Sequence, residues 1–458
     1  MTYSYNSTNN VSNGSKLPVG ERPLPNVEQI EPIDLSQFRN VEPQSSRNGI
    51  VDLKESGLFR FDEPLQKATL PSSGKAQSYF KNNVNRLDMY GTNRDSFNQS
   101  MVEGNVQSLT QMGENGSSHD VQILGDLGGS FQSSHQNARN EVLVQGKVDF
   151  AIMNGDNGAT NRFTAGSVGD MALGGSEAPQ FEGSRNDAVV LGKTQRLLTA
   201  DYNGLSSGQF YGGVHQWEDS AVNATTQILA ENMGKVYLEG HGNRNHVLVN
   251  QGIKELGIGQ AANGNTNTIT ANGGIERFGL LGKNNESKIF SFSGEKASEA
   301  VLQGTKNTTL YGGNGQQTVR VGGSNNDNII ATSDLTGRKF KSDYDRKVFE
   351  AQQKDTLELG GTGNKVQADL GVGNDDIFVH AGVKNKDNQF EIVGGAGQDV
   401  MTLEGTERDW KSVRNQDGSL TFTHRHFTQA VTVADVEDIR FSKKIDSSKI
   451  GFKAPPTE

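Results

Sequence analysis

Gly394-Gly395-Ala396-Gly397-Gln398-Asp399-Val400-Met401-Thr402 reads as one turn followed by one short strand. The stretch follows the nonapeptide G-G-x-G-x-D-x-U-x at every specified position, where U is a large apolar residue. Its glycines permit a tight turn with positive φ, and Asp399 sets a carboxylate beside that turn. Met401 then begins a strand whose side chain faces the interior of a flattened coil. Such a unit buries almost nothing alone and needs copies stacked on it.

Related bursts begin at about Ser118 and continue up to that stretch. They include Asn140-Glu141-Val142, Asn161-Arg162-Phe163, Asp187-Ala188-Val189, Asn245-His246-Val247 and Asn267-Thr268-Ile269. Further on come Ser287-Lys288-Ile289, Asp327-Asn328-Ile329, Asp355-Thr356-Leu357, Asn364-Lys365-Val366 and Asp375-Asp376-Ile377. In most of them Asn or Asp stands two residues before an apolar residue, with Gly close by. From Val247 through Ile269 and Ile289 to Leu310 the steps are 22, 20 and 21 residues; Leu310, Val319 and Ile329 are 9 and 10 apart. Two short strands and two turns per coil give such a period. The fold expected is all-β, a right-handed parallel β-solenoid of the β-roll or β-helix type. Stacked Asn side chains are expected to bond up and down the coils as amide ladders.

Composition agrees with a thin core. Only 33% of the 458 residues are hydrophobic, while 56 are Gly. A net charge of −10 argues against a nucleic-acid binder. The absence of Cys removes disulfides, zinc thiolates and thiol nucleophiles. No apolar run is long enough to span a bilayer. The start, MTYSYNSTNNVSNGSKLPVG, lacks the apolar region of a Sec signal, which leaves a cytosolic protein or one exported by another route; the expectation taken forward is a secreted, extracellular protein using a Sec-independent route.

Three regions are expected. Residues 1–117, rich in Asn, Ser, Pro and Gln, read as a mostly disordered leader with one short helix at Ala76–Met89, where Phe80, Val84 and Leu87 fall on one face. Residues 118–405 read as the solenoid, with insertions at 199–235 and 332–353. Residues 406–458 read as a strand-rich cap and tail. The 199–235 insertion holds Phe210, Tyr211, His215, Trp217, Glu218 and Asp219, followed by an expected helix, Ser220–Met233, between Asp219 and Gly234. It reads either as a packing patch or as aromatics that stack a sugar beside carboxylates. Residues 332–353 are highly charged and read as a solvated loop or helix. His424 and His426 alternate on one strand face, either simply exposed or as a metal pair.

Residues from about 303 to 445 resemble the RTX, or hemolysin-type calcium-binding, family. Beside Gly394–Thr402, Gly371-Val372-Gly373-Asn374-Asp375-Asp376-Ile377 follows the repeat from its second position, and Gly322-Gly323-Ser324-Asn325-Asn326-Asp327-Asn328-Ile329 carries Asn for the third Gly. Gly312-Gly313-Asn314-Gly315 and Gly360-Gly361-Thr362-Gly363 keep the turn, the latter with Lys365 at the Asp position. The ending Val436-Glu437-Asp438-Ile439-Arg440-Phe441 looks like the cap that closes such rolls. The resemblance implies a β-roll with Ca²⁺ between successive turns and export without a Sec signal. Carried over residue by residue, it places metal at Asp327, Asp375, Asp376 and Asp399, with the turn of Gly394, Gly395 and Gly397. The composition and Ser/Asn-rich start also resemble harpins and type III effectors.

No G-x-S-x-G, H-E-x-x-H, P-loop or dinucleotide motif is present. The function expected is that of an exported bacterial β-solenoid, a non-enzymatic effector, elicitor or surface-interaction protein. Its partners would be a host or cell-surface component, polysaccharide among the candidates, and the secretion machinery. The alternative is a polysaccharide lyase or epimerase, which rests on fold analogy.

Overall fold

A computed structural model describes residues 34–174, 183–292, 298–332, 342, 353–383 and 386–449. The chain is a parallel β-solenoid of about 15 turns, 62% strand and 2% helix. Alternation explains the strands: in Thr225–Ala230 and Arg244–Val249 every second residue is buried. Core side chains meet their counterparts one coil on, as Ile228 meets Val247 and Val247 meets Ile269. Coil-to-coil bonds link residues 20 to 22 apart through most of the stack.

The low apolar content is accommodated because many interior positions are small or polar. Ser78 and Ser100 share a buried hydroxyl contact at 2.7 Å. Asn140 Nδ2 donates to Asn161 Oδ1 at 3.2 Å, and Asn161 Nδ2 donates to Asn186 Oδ1 at 2.9 Å. Asn140 and Asn161 thus find partners in the next coil, which removes most of the penalty of burying those donors.

Two compact units divide the fold, one of Pro25–Gly273 with Leu281–Ser287, the other of Gly274–Leu280 with Lys288–Pro455. In the first unit the strands begin at Ile50–Asp52, not after residue 117. Residues 50–117 are therefore solenoid rather than leader; the expectation for residues 1–33 lies outside the described residues. The expected helix at Ala76–Met89 is two strands, Lys75–Phe80 and Val84–Gly91, joined by a turn. The chain reversal at residues 81–83 reproduced a helical spacing by coincidence. Likewise 199–235 is no insertion, and Ser220–Met233 is no helix. Val214–Asp219 pairs in parallel with Thr194–Ala200 and Met233–Leu238. Phe210 and Trp217 fill the interior of these coils, 1% and 0% exposed.

In the second unit the strands Gln317–Val321, Thr356–Leu359, Asp376–Val379, Val400–Glu404 and Asp438–Ser442 pair successively in parallel. A second parallel series runs from Thr308–Asn314 through Asp327–Thr332, Lys365–Asp369 and Asn388–Val393 to Gln429–Ala434. Antiparallel strands Trp410–Arg414 and Leu420–His424 then cover the free edge of Gln429–Ala434. Such a cover blocks edge-to-edge pairing. The charged stretch expected over 332–353 lies mostly outside the described residues.

Candidate metal centre

Two polar columns run through the second unit, and they differ by one atom type. In the first, Asn307 N–H donates to Asn326 Oδ1, Asn326 N–H to Asn364 Oδ1 and Asn364 N–H to Asn388 Oδ1, at 3.0, 2.9 and 2.9 Å. The amide nitrogens complete the bonding. Asn326 Nδ2 donates to Gly304 O and Gly322 O, and Asn364 Nδ2 donates to Gly322 O and Gly360 O. Every side chain of this column that faces a glycine turn thus gives its carbonyls a donor.

The second column repeats the backbone pattern with carboxylates. Gln317 N–H donates to Asp355 Oδ1 at 2.7 Å, Asp355 N–H to Asp375 Oδ1 at 2.7 Å and Asp375 N–H to Asp399 Oδ1 at 2.8 Å. Glu437 closes the series by accepting Asp399 N–H at 2.8 Å. The other oxygen has nothing to donate. Oδ2 of Asp355, Asp375 and Asp399 are all buried and without a hydrogen-bond partner. The three residues are 2, 1 and 0% exposed.

Burial is the main cause of raised pKa values along this column. Asp355 is pushed up to about 7 and Asp399 to about 6. Asp375 reaches about 8, because the negative charge of Asp355 adds to its burial. An acid held this way takes up a proton or a cation.

Glycine shapes the space at the unpartnered oxygens. A Cβ on Gly394 would lie 2.6 Å from Asp399 Oδ2 and 2.2 Å from Asp435 O, so that oxygen and a carbonyl share room that only glycine leaves. Gly395 has φ +103°, and a Cβ there would lie 1.9 Å from Gly371 O. Ala396–Gly397 pairs with Val372–Gly373, which stacks the Asp399 turn directly on the Asp375 turn. Carboxylate and carbonyl oxygens are the donor set that Ca²⁺ takes. The residues of the column are of the kind that ion takes, one carboxylate per coil. Among the described residues, no three His, Asp or Glu side chains gather as a ready-made metal cluster.

The expected metal residues separate. Asp375, Asp399 and the glycines Gly394, Gly395 and Gly397 come together. Asp376 points outward and pairs with Lys354 at 2.6 Å. Asp327 is exposed on the other strand series, opposite Lys365. The turns at Gly322 and Gly360 are one residue shorter than the turn at Gly394. The inward polar positions there are Asn326 and Asn364, and Asp327 and Lys365 turn out to solvent. Asp355 and Glu437 were not foreseen as site residues. Asp355 lacks a glycine turn before it, and its only signal is the spacing to Leu357.

A second cluster lies on the outer face of the same strands. His380 Nε2 meets Glu358 Oε1 at 2.7 Å, and Nδ1 meets Glu404 Oε2 at 3.4 Å. Arg320 Nε donates to Glu358 Oε2 at 2.6 Å. Ser447 Oγ donates to Glu358 and sits 3.3 Å from His380 Nε2. Ser, His and carboxylate are thus adjacent, yet Glu358 raises the His380 pKa and favours imidazolium. Ser447 Oγ turns its proton to Glu358 and both ring nitrogens of His380 face glutamates, so the hydroxyl is not set to donate to the imidazole as in a nucleophilic triad.

The remaining candidates dissolve. His424 is buried against Trp410 and Phe427, with ring centroids 4.8 and 4.5 Å away. His426 lies beyond the strand end, so the two do not share an exposed face. Phe210 and Trp217 face the core, and Asp219 accepts bonds from Thr199, Asn243 and Asn245. Of the aromatics in that stretch only Tyr211 is exposed, with His215 also at the surface, so the expected cluster is divided between core and surface. No family model matches the chain, and no curated protein or solved structure matches it either.

Proposed function

We propose that this chain is an exported bacterial β-solenoid that acts outside the producing cell as a non-enzymatic, surface-interacting protein of effector or elicitor type. In this reading Ca²⁺ is held at the stacked turns of Asp375 and Asp399, with Asp355 as the next carboxylate of the column. The observation that carries the metal is the set of buried, unpartnered Oδ2 atoms beside glycine turns. A cation would neutralise charge that the amide column never has to bury.

The fold presents long repeated faces, the arrangement solenoids use for recognition.

Calcium titration of the full chain, followed by circular dichroism and calorimetry with EDTA reversal, tests the metal. Saturable binding that Asp375→Asn and Asp399→Asn weaken is the expected outcome. A folded chain indifferent to millimolar Ca²⁺ would remove the metal from the proposal. Detection of the protein in culture supernatant, lost on deletion of its N-terminal region, tests export.

A further inference from the structure

The antiparallel strands Trp410–Arg414 and Leu420–His424, which cover the edge of Gln429–Ala434, turn on one histidine. His424 stands opposite Trp410 in the strand register and is 6% exposed. The Trp410 ring meets its imidazole edge-on at 4.8 Å, and the Phe427 ring stacks on it at 4.5 Å. One hydrogen bond fixes its protonation: Nδ1 accepts the backbone N–H of His426 at 3.1 Å, so the ring proton sits on Nε2. A second proton at Nδ1 would set one N–H against another and leave a cation between two aromatic rings. The face of Phe427 attracts a cation, but that gain stands against both the lost bond and the burial.

Few titratable groups face the ring. Asp409, on the turn Glu407–Asp409, favours a charged imidazole, His426 disfavours it, and Arg425 between the two histidines is exposed. Burial outweighs the Asp409 charge and holds the ring below its ordinary pKa. Two carboxyls of the same cover are also held low. Thr406 N–H and Oγ donate to Asp409 at 2.7 Å each, and Ser419 N–H and Oγ donate to Asp417 at 3.0 and 2.7 Å. All three groups therefore bind more protons once the hairpin opens. Their stabilisation is complete above about pH 6.5 and declines as pH falls, His424 first and the aspartates below about pH 4.

We infer that this hairpin is an acid-released cover: protonation of His424 opens Trp410–Arg414 and Leu420–His424 and frees the edge of Gln429–Ala434. Opening would bare Trp410 and Phe422, now 4 and 5% exposed, beside a strand edge able to pair with another chain. The inference goes beyond the proposed function and requires neither calcium nor export.

Amide exchange of the full chain at about pH 7.5 and about pH 5, corrected for intrinsic rates and run in both calcium and EDTA, tests it. Residues 410–424 should lose protection at least about threefold at the lower pH, while Asn388–Val393, beneath the covered strand, keeps its own. His424→Phe, which keeps an aromatic ring and removes the titration, should abolish the difference; His426→Gln should leave it in place. Ring NMR of the unmutated protein gives a second reading, with His424 titrating below the ordinary histidine value of about 6.5. Equal protection at the two pH values, an undiminished loss in folded His424→Phe, or titration of His424 at or above the ordinary value overturns the inference.

Discussion

Asp375 and Asn364 occupy equivalent places in two columns, and the difference between them is one donor. Asn364 Nδ2 reaches Gly322 O and Gly360 O, whereas Asp375 Oδ2 faces its surroundings without a partner. Because the folded pKa of Asp375 lies above the unfolded value, the folded state binds more protons than the unfolded chain. Stability of the metal-free protein should then fall as pH rises from about 4 toward 8. Asp375→Asn should flatten that dependence in EDTA and raise stability at pH 8 by about 1–2 kcal/mol, the usual cost of one unsatisfied buried group. Thermal melts across pH decide this, and a destabilised variant would refute the equivalence of the columns. His380 has the opposite consequence. Arg320, Glu358 and Glu404 are the charged groups around it, and the bond to Glu358 raises its pKa. Its contribution is complete below the unfolded pKa near 6.5 and is lost as pH rises through the folded value. Amide exchange of residues 445–449, corrected for intrinsic rates, should be less protected at pH 9 than at pH 6, and His380→Gln should remove the difference.

Strands and turns carry the repeat, and the turns carry its tightest constraints. At Gly395 a side chain would meet both an unfavourable φ and the carbonyl of Gly371 in the coil below. At Gly418, in the turn between Trp410–Arg414 and Leu420–His424, φ is +91° but nothing lies within 4 Å. Gly418→Ala should cost about 1 kcal/mol for backbone conformation alone, while Gly395→Ala should cost about 3 kcal/mol or more. Denaturant titration separates the two, and equal losses would mean that the stacked turns do not sit as closely as described. The same closeness explains why glycine and asparagine are so frequent here: each coil's turn rests on the turn below it.

Across the whole molecule, metal and amide chemistry are unevenly shared. Buried amide ladders occur in both units, whereas the column of Asp355, Asp375 and Asp399 belongs to the unit of Gly274–Leu280 with Lys288–Pro455. Repeats stabilise chiefly their neighbours, so a ligand in one unit acts first on that unit. Calorimetric melts of the full chain should show two transitions, of which calcium raises one. At a calcium concentration 100 times its Kd the gain would be about 2.7 kcal/mol. Both transitions moving equally would place the metal elsewhere. No helix among the described residues is long and apolar enough to cross a membrane.

The period of about 20 residues, the half-step near 10 and the Asn or Asp two before an apolar residue were enough to determine a parallel β-solenoid. These are local facts, because each short strand and turn is written in adjacent residues. The stacked turns of Asp375 and Asp399 were legible for the same reason. What local pattern could not decide was register and depth. One residue fewer in a turn sends Asp327 and Lys365 outward and Asn326 and Asn364 inward. Asp355 joins the acid column because the coil beyond it delivers an N–H to its carboxylate, not because of the residues beside it. Trp217 and Phe210 look like a surface cluster until the coils on either side enclose them. Ser447 and Glu358 lie 89 residues apart and meet only through the stack. Burial, pairing across coils and the cluster around His380 depend on which coils lie above and below, and that information is not local.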